Sequence, residues 1–339
     1  MSEQDHSFSH EPAPEDLISD WYLPVSNPLD GFVYPSGRTI SRLEPLHAPA
    51  QHLFALAMLH SKEGAVVEFS FESEGRVFRG HVIHAIKGKI FQLRRLPTSI
   101  PPLNELGLPV AIQEILIHDR LRRGGLVLIA GETGQGKSTT CAAAIKARIE
   151  KFGAFCLTIE DPPEAPLDGK HKRGRCIQTP VESGKFAEAM RGALRAYPTT
   201  PGNILYVGET RDSETASEVL KIAINGHLVF STVHADSVIG GIKRFVSLAA
   251  SQKDMSETAV NSLCADAFRL LIHQRLEDQV IQGRTQKKLA IEFLMSKDGT
   301  TAASHMIRKG TIEGLSNPID LQRSTLMVQG VEALMKEWG

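Results

Sequence analysis

GETGQGKST, residues Gly131, Glu132, Thr133, Gly134, Gln135, Gly136, Lys137, Ser138 and Thr139, satisfies G-x-x-x-x-G-K-S/T. Glycines at this spacing let the backbone curl so that successive N–H groups face one point, and a helix N-terminus behind them adds positive potential. That is the chemistry of a phosphate cradle, with Lys137 expected on the β/γ-phosphates of ATP and Ser138 on a Mg²⁺ ion. The alternative, a glycine-rich turn with an exposed lysine, is disfavoured by context: the apolar run GLVLIAG precedes the loop and the alanine-rich KSTTCAAAIKARIEKF follows it.

Hydrolysis also needs a group to orient or deprotonate water and partners for the metal's water shell. In a parallel sheet such groups belong at the carboxyl ends of the strands next to the loop. Two apolar runs end in acids. AFCLTIED closes on Glu160 and Asp161 with Glu164 just beyond, and NILYVGE closes on Glu209, followed by Arg211 and Asp212. Glu209 is the expected general base, and Glu160 and Glu164 are expected in the metal-water and polar network. Asp212 and Glu214 suit a helix start better than catalysis. NGHLVFSTVHADS brackets a further strand with His227 and His234. His227 reads as structural, whereas His234, at the carboxyl end, is placed to sense the γ-phosphate or to link the nucleotide to a neighbouring subunit.

The elements that position these residues follow from periodicity. From residue 110 onward apolar runs of strand length alternate with helical patterns, which predicts right-handed crossovers and a mainly parallel sheet covered on both faces. ETAVNSLCADAFRLLIHQRL (257–276) reads as helical throughout. Residues 41–104 read as a small α/β domain: a helix at 47–64, a strand at 65–73, and a hairpin at 76–96 turning at Lys87-Gly88. TSIPPLNELGLP (98–109) is a proline-rich connection. Residues 1–40, rich in Pro, Ser, Asp and Glu, read as a partly disordered tail in which Trp21-Tyr22-Leu23 is an apolar spot. The division expected is therefore 1–40, 41–104 and 105–339.

Bulk properties exclude several classes. The 339 residues carry a net charge of −1, without the basic excess of a dedicated nucleic-acid protein. The basic stretch Lys170, Lys172, Arg173, Arg175 reads as a solvated loop. Four scattered cysteines offer neither a metal-ligand spacing nor a disulfide framework and suit a reducing compartment. The polar, acidic start is unlike a secretory signal, and the longest apolar runs are strand-sized. A cytoplasmic location is expected.

Four boxes in order resemble the type II/IV secretion ATPase superfamily, most closely the PilT-like retraction ATPases of type IV pili, over residues 76–339. GETGQGKST is similar to the Walker A box. LTIEDPPE (157–164) is similar to the aspartate box, with Pro163 where an aliphatic residue is usual. ILYVGETRDSETA (204–216) resembles the atypical Walker B, with Gly208 where other P-loop proteins carry an acid, and GHLVFSTVHADS (226–237) resembles the histidine box. LRRLPTSIPPLNELGLP, FAEAMRGALRAYP and HQRLEDQ also fit, while AYPTTPGN (196–203) is lengthened and AASHMIRKG (302–310) matches in part.

The resemblance implies a PAS-like N-terminal domain hinged to a RecA-like ATPase domain, and a homohexameric ring with ATP between subunits. It further implies arginines from the N-terminal domain, Arg79 in FRG and Arg94 in LRRLP, that complete the site. It implies a motor that drives pilus disassembly from the cytoplasmic side of the inner membrane, acting on a membrane platform protein and not on nucleic acid. A conjugation or type IVB secretion ATPase of the DotB kind is the alternative within the family. A nucleotide-dependent scaffold with little hydrolysis, or a DNA motor, lies outside it.

Overall fold

A computed structural model describes residues 18–35, 41–43, 46–182, 184–198, 202–252, 255–281, 284–297 and 299–337. The chain divides into two compact units, residues 1–98 and 99–339. The division falls earlier than the expected 104/105 because Ile100 and Leu103 are buried in the core of the second unit.

The first unit is a six-stranded antiparallel sheet with one long helix. Its strands are β1 (Ile18–Pro24), β2 (Phe32–Pro35), β3 (Ser41–Arg42), β4 (Glu68–Ser73), β5 (Arg76–Ala85) and β6 (Gly88–Arg95), in the order β3-β2-β1-β6-β5-β4, and α1 is His47–His60. The hairpin expected at 76–96 is β5–β6. The tail expected over 1–40 is corrected at residues 18–35. There β1 sits in the interior of the sheet, Trp21 pairs with Leu93 on one side and Val33 on the other, and Ile18, Trp21 and Leu23 are fully buried. The surrounding Pro and acidic residues mask a strand whose apolar side chains find their partners some seventy residues later. Residues 1–17 and 36–40 of that expectation lie outside the described residues.

The second unit carries an eight-stranded sheet: β7 (Gly125–Ala130), β8 (Phe155–Glu160), β9 (Gly169–His171), β10 (Gly174–Pro180), β11 (Ile204–Val207), β12 (Leu228–Val233), β13 (Phe268–Ile281) and β14 (Arg284–Met295). The order is β14-β13-β7-β12-β11-β8-β10-β9; the six inner strands run parallel and both edges pair antiparallel. The helices are α2 (Val110–Leu116), α3 (Lys137–Phe152), α4 (Phe186–Ala193), α5 (Ser213–Ile224), α6 (Val238–Ala250), α7 (Glu257–Ala267), α8 (Ala302–Lys309) and α9 (Ser316–Glu337), the last kinked at Gly330. Every residue of β7 is buried, Leu126, Leu128 and Ala130 in the core with α4–α8 and Val127 and Ile129 in the core with α2 and α3. A strand covered on both faces has no polar side to show, which is why it reads as an unbroken apolar run.

Two expectations change here. The helix expected over 257–276 stops at Ala267. Phe268 pairs with Leu126, and the chain continues as β13 beside β7. FRLLI is a short apolar run of the kind that periodicity alone cannot assign, and the free edge of β7 decides it. The basic stretch expected to be a loop forms the edge hairpin β9–β10. β13 also outruns its neighbour: β7 ends at Ala130 opposite His273, while β13 and β14 pair on to Ile281 and Arg284 as a two-stranded ribbon. Among the described residues no helix is long and apolar enough to cross a membrane.

Candidate nucleotide site at the carboxyl ends of the strands

The loop between β7 and α3 turns on glycines at positive φ: Gly131 at 151°, Gly134 at 77° and Gly136 at 79°. At Gly131 space adds to conformation, since a Cβ would lie 2.5 Å from the backbone oxygen of Gln274. Lys137 opens α3 and is 8% exposed; its ammonium donates to the carbonyls of Gly131 at 2.9 Å and Glu132 at 2.7 Å. Burial lowers its pKa, while the charges of Glu209 and Glu164 oppose the shift. Ser138 lies next to the phenol of Tyr206 on β11.

Gln135 is a loop member whose side chain does more than motif spacing foretells. Its Oε1 accepts from the backbone N–H of Leu276 at 2.6 Å, and its carbonyl accepts from Nε2 of Gln274 at 2.5 Å. The loop is thus fastened to β13. Gln274 is 1% exposed and was signalled only by its place in HQRLEDQ.

The acids converge from two strands. Glu160 ends β8, 3% exposed, and its Oε1 accepts from Nε2 of Gln178 on β10 at 2.9 Å. Burial pushes its pKa up; hydrogen bonds from Thr158 and Gln178 work against the shift, and the neighbouring Glu164 adds to it. Gly208 lies against it: a Cβ there would stand 3.4 Å from Cγ of Glu160. Glu209 follows, held from both sides because the carbonyl of Gly208 accepts from Thr232 Oγ1 at 2.7 Å and the N–H of Thr210 donates to the Thr232 carbonyl at 2.9 Å. Its carboxylate bridges two partners, Arg211 Nε at 2.7 Å and His234 Nε2 at 3.1 Å. Asp212 caps α5 by accepting from the N–H and Oγ1 of Thr215, both at 2.8 Å.

His234 directly follows β12 and lines an open cleft of about 540 Å³ with Glu132, Thr133, Asp236 and Arg244. Arg244, on α6, is a cation beside the loop that no motif marked. His227 lies at the other end of β12, stacked on Tyr197 at 5.0 Å, with its pKa lowered by burial.

The structure therefore brings the loop 131–139, Glu160, Glu164, Glu209 and His234 together in one unit. Arg79 and Arg94 belong to the other unit, where they are direct cross-strand partners on β5 and β6. Arg79 is ion-paired with Glu68 at 3.5 Å and Arg94 with Asp20 at 2.8 Å.

Hard oxygen donors, the Ser138 hydroxyl and the nearby carboxylates, suit a Mg²⁺ ion. No three His, Cys, Asp or Glu among the described residues are grouped as a metal cage. Ser138 is the loop residue that would hold such an ion.

Comparison with known proteins agrees with this geometry. A family model described as type II/IV secretion system protein matches residues 65–326. The type IV pilus retraction ATPase PilT of Pseudomonas aeruginosa is 30% identical over 324 residues, 92% of this chain and 87% of its own. The uncharacterized protein YggR of Escherichia coli is 33% identical over 261 residues, covering 76% and 73%. The crystal structure of the pilus retraction motor PilT with bound ADP superposes with a TM-score of 0.71 at 30% identity, covering 95% of this chain and 93% of that one. The Legionella pneumophila ATPase DotB shares the fold, with a TM-score of 0.65 at 24% identity over 92% and 84%. A parallel sheet with its phosphate loop, strand-end acids and terminal histidine in this order places the chain in the type II/IV secretion system protein family, as a PilT-like ATPase.

Proposed function

We propose that this chain hydrolyses ATP with Mg²⁺ and, as a homohexamer, uses the cycle to drive disassembly of a type IV pilus. The observation that carries the proposal is the convergence of the Lys137 loop with Glu160, Glu164 and Glu209 at the carboxyl ends of β7, β8 and β11. The similarity to PilT over nine-tenths of the chain supports the pilus reading.

The loop's N–H groups and Lys137 bind the phosphates, and Ser138 would hold a Mg²⁺ ion, which would supply charge neutralisation when bound. Glu209 orients the attacking water and takes its proton. Each of its oxygens has one partner, Arg211 or His234, which leaves further lone pairs to accept from the water. His234 lies where it reports γ-phosphate loss to the cleft beside it. Arg79 and Arg94 act on a neighbouring subunit's nucleotide, and a platform protein at the inner membrane receives the movement from the cytoplasmic side.

Lys137→Ala should abolish ATP binding and turnover, and Glu209→Gln should retain binding while stalling hydrolysis. Near-normal turnover of Glu209→Gln would remove the base assignment. Mixing Arg94→Ala subunits with Lys137→Ala subunits should restore part of the activity if Arg94 acts across a boundary. Cells lacking the protein should carry excess surface pili; loss of pili would assign assembly instead.

A further inference from the structure

The cations of the edge hairpin are unused by the nucleotide site. Lys170, Arg173 and Arg175 join Arg122 around a cleft of about 640 Å³ at the amino ends of β8, β10 and β11, the end of the sheet opposite the phosphate loop. Phe152 and Phe155 supply apolar lining, and no acidic residue lines it among the described residues. The volume is in the range of small-molecule sites.

Three ordinary explanations fall short. Charges on an edge strand discourage aggregation, which accounts for Lys170 on β9 but not for Arg175 on β10 or for Arg122 in the turn after α2. The ring of Phe152, at the carboxyl end of α3, carries Arg122 at 5.4 Å together with Arg148 and Lys151 at 5.1 and 5.2 Å, which accounts for Arg122 but not for Lys170, Arg173 or Arg175. Acid pairing is incomplete: Asp119 pairs with Arg122 at 3.1 Å and Glu150 with Lys172 at 2.7 Å. Lys170, Arg173 and Arg175 have no acid partner among the described residues.

The hairpin also accepts unfavourable local terms. Lys170 is directly opposite Arg175, and like charges so placed repel. The two-residue turn holds Lys172 at a φ of 45°, a left-handed conformation for a residue with a side chain. An anion seated between Lys170 and Arg175 converts the repulsion into attraction.

We propose that this cleft is a second anion site, which takes a phosphate-bearing small molecule of about mononucleotide size. Arginines predominate, and their planar forks match phosphate oxygens two at a time. The cleft is concave, and its phenyl rings offer contact to the part of the ligand beyond the phosphates.

The test uses the full chain carrying Lys137→Ala, so that the phosphate loop does not contribute. Calorimetric titration with inorganic tripolyphosphate, and separately with AMP, should show one saturable site per chain that weakens as salt is raised. Arg173→Gln with Arg175→Gln should weaken it at least about tenfold per arginine. Tighter binding of AMP identifies a nucleotide as the ligand class, and tighter tripolyphosphate identifies a phosphate chain. No saturable binding of either, or binding untouched by the substitutions, would overturn the proposal. So would capture of a glutamate-rich peptide with the same sensitivity while both phosphates fail, which would make the cleft a dock for an acidic protein segment. If the double variant unfolds, Arg173→Gln alone, in the turn and outside the ladder, carries the same comparison. That variant in the chain with Lys137 intact should retain ATP turnover, so failure here and failure of the motor reading are distinguishable.

Discussion

Placing an acid at position 208 should destabilise this chain through its effect on Glu160. A Cβ at Gly208 would meet Cγ, Cα and Cβ of Glu160 at 3.4, 3.5 and 3.6 Å, ordinary contact distances, so a small side chain fits. Gly208→Asp would add a carboxylate against one that is 3% exposed. Two such charges about 4 Å apart repel by about 4 kcal/mol at an effective dielectric of about 20. The pair escapes part of this by taking up a proton, which at pH 7 costs about 3.5 kcal/mol for a carboxyl of ordinary pKa. Glu160 titrates above that ordinary value already, so the uptake is cheaper still and about 3.5 kcal/mol is an upper bound on the net cost. For a domain of this size that lowers the thermal midpoint by up to about 14 °C. Gly208→Asn has the same shape without the charge and isolates the electrostatic part. Calorimetric scans at pH 7 should separate the two variants, and the gap should close near pH 4–5, where one carboxyl is protonated in any case. Equal midpoints at pH 7, or a gap that persists in acid, would refute the reasoning. The result bears on function, because it would explain a glycine where other P-loop proteins place an acid: Glu160 from the adjacent strand already occupies the position.

Glu160 itself should tilt stability with pH. Its raised pKa means that the folded chain holds a proton over a window where the unfolded chain has lost it, so stability is full below the ordinary carboxylate range and declines as pH rises through the raised value. Glu160→Gln should flatten that slope and exceed the parent in urea midpoint at pH 8; parallel slopes would show that Glu160 is not the source. Gln135→Ala removes the bond to Leu276 and should raise KM for ATP by about three- to tenfold, with a smaller change in kcat. An unchanged KM would mean that the loop holds its shape without β13. Trp21→Ala should cost about 3–5 kcal/mol and expose residues 18–98 to proteolysis. Protection equal to the parent would return β1 to the status of a tail.

The phosphate loop was legible because its information is local: nine consecutive residues specify a turn, and the run before it can only be a buried strand. The acids were legible by position, since a strand that ends in a carboxylate beside a glycine has few places to go. What surrounds them was not. The Gln274 to Gln135 bond joins residues 139 apart and exists only because β13 lies next to β7, a pairing hidden inside a run that also suits a helix. Gln178 reaches Glu160 only because 174–180 is a strand, whereas its basic flank suggested solvent. The same blindness applied to β1, whose strand character resides in Ile18, Trp21 and Leu23 and not in the composition around them. In each case local chemistry was readable and the lateral neighbour was not.

The ribbon formed by β13 and β14 has a mechanical consequence. Among the described residues, its strands beyond Leu276 pair only with each other, up to Ile281 and Arg284, so it is a cantilever about 20 Å long. Its root is the pairing of β13 with β7 up to His273, followed by the two hydrogen bonds to Gln135. A rigid beam of that length turns each 3° of tilt at the root into about 1 Å at the tip. Any change in the seat of Gln135 as phosphates come and go is therefore delivered, enlarged, to a point well outside the site. The stiffness of that delivery is set by two hydrogen bonds and by the twelve residue pairs along the ribbon and its root.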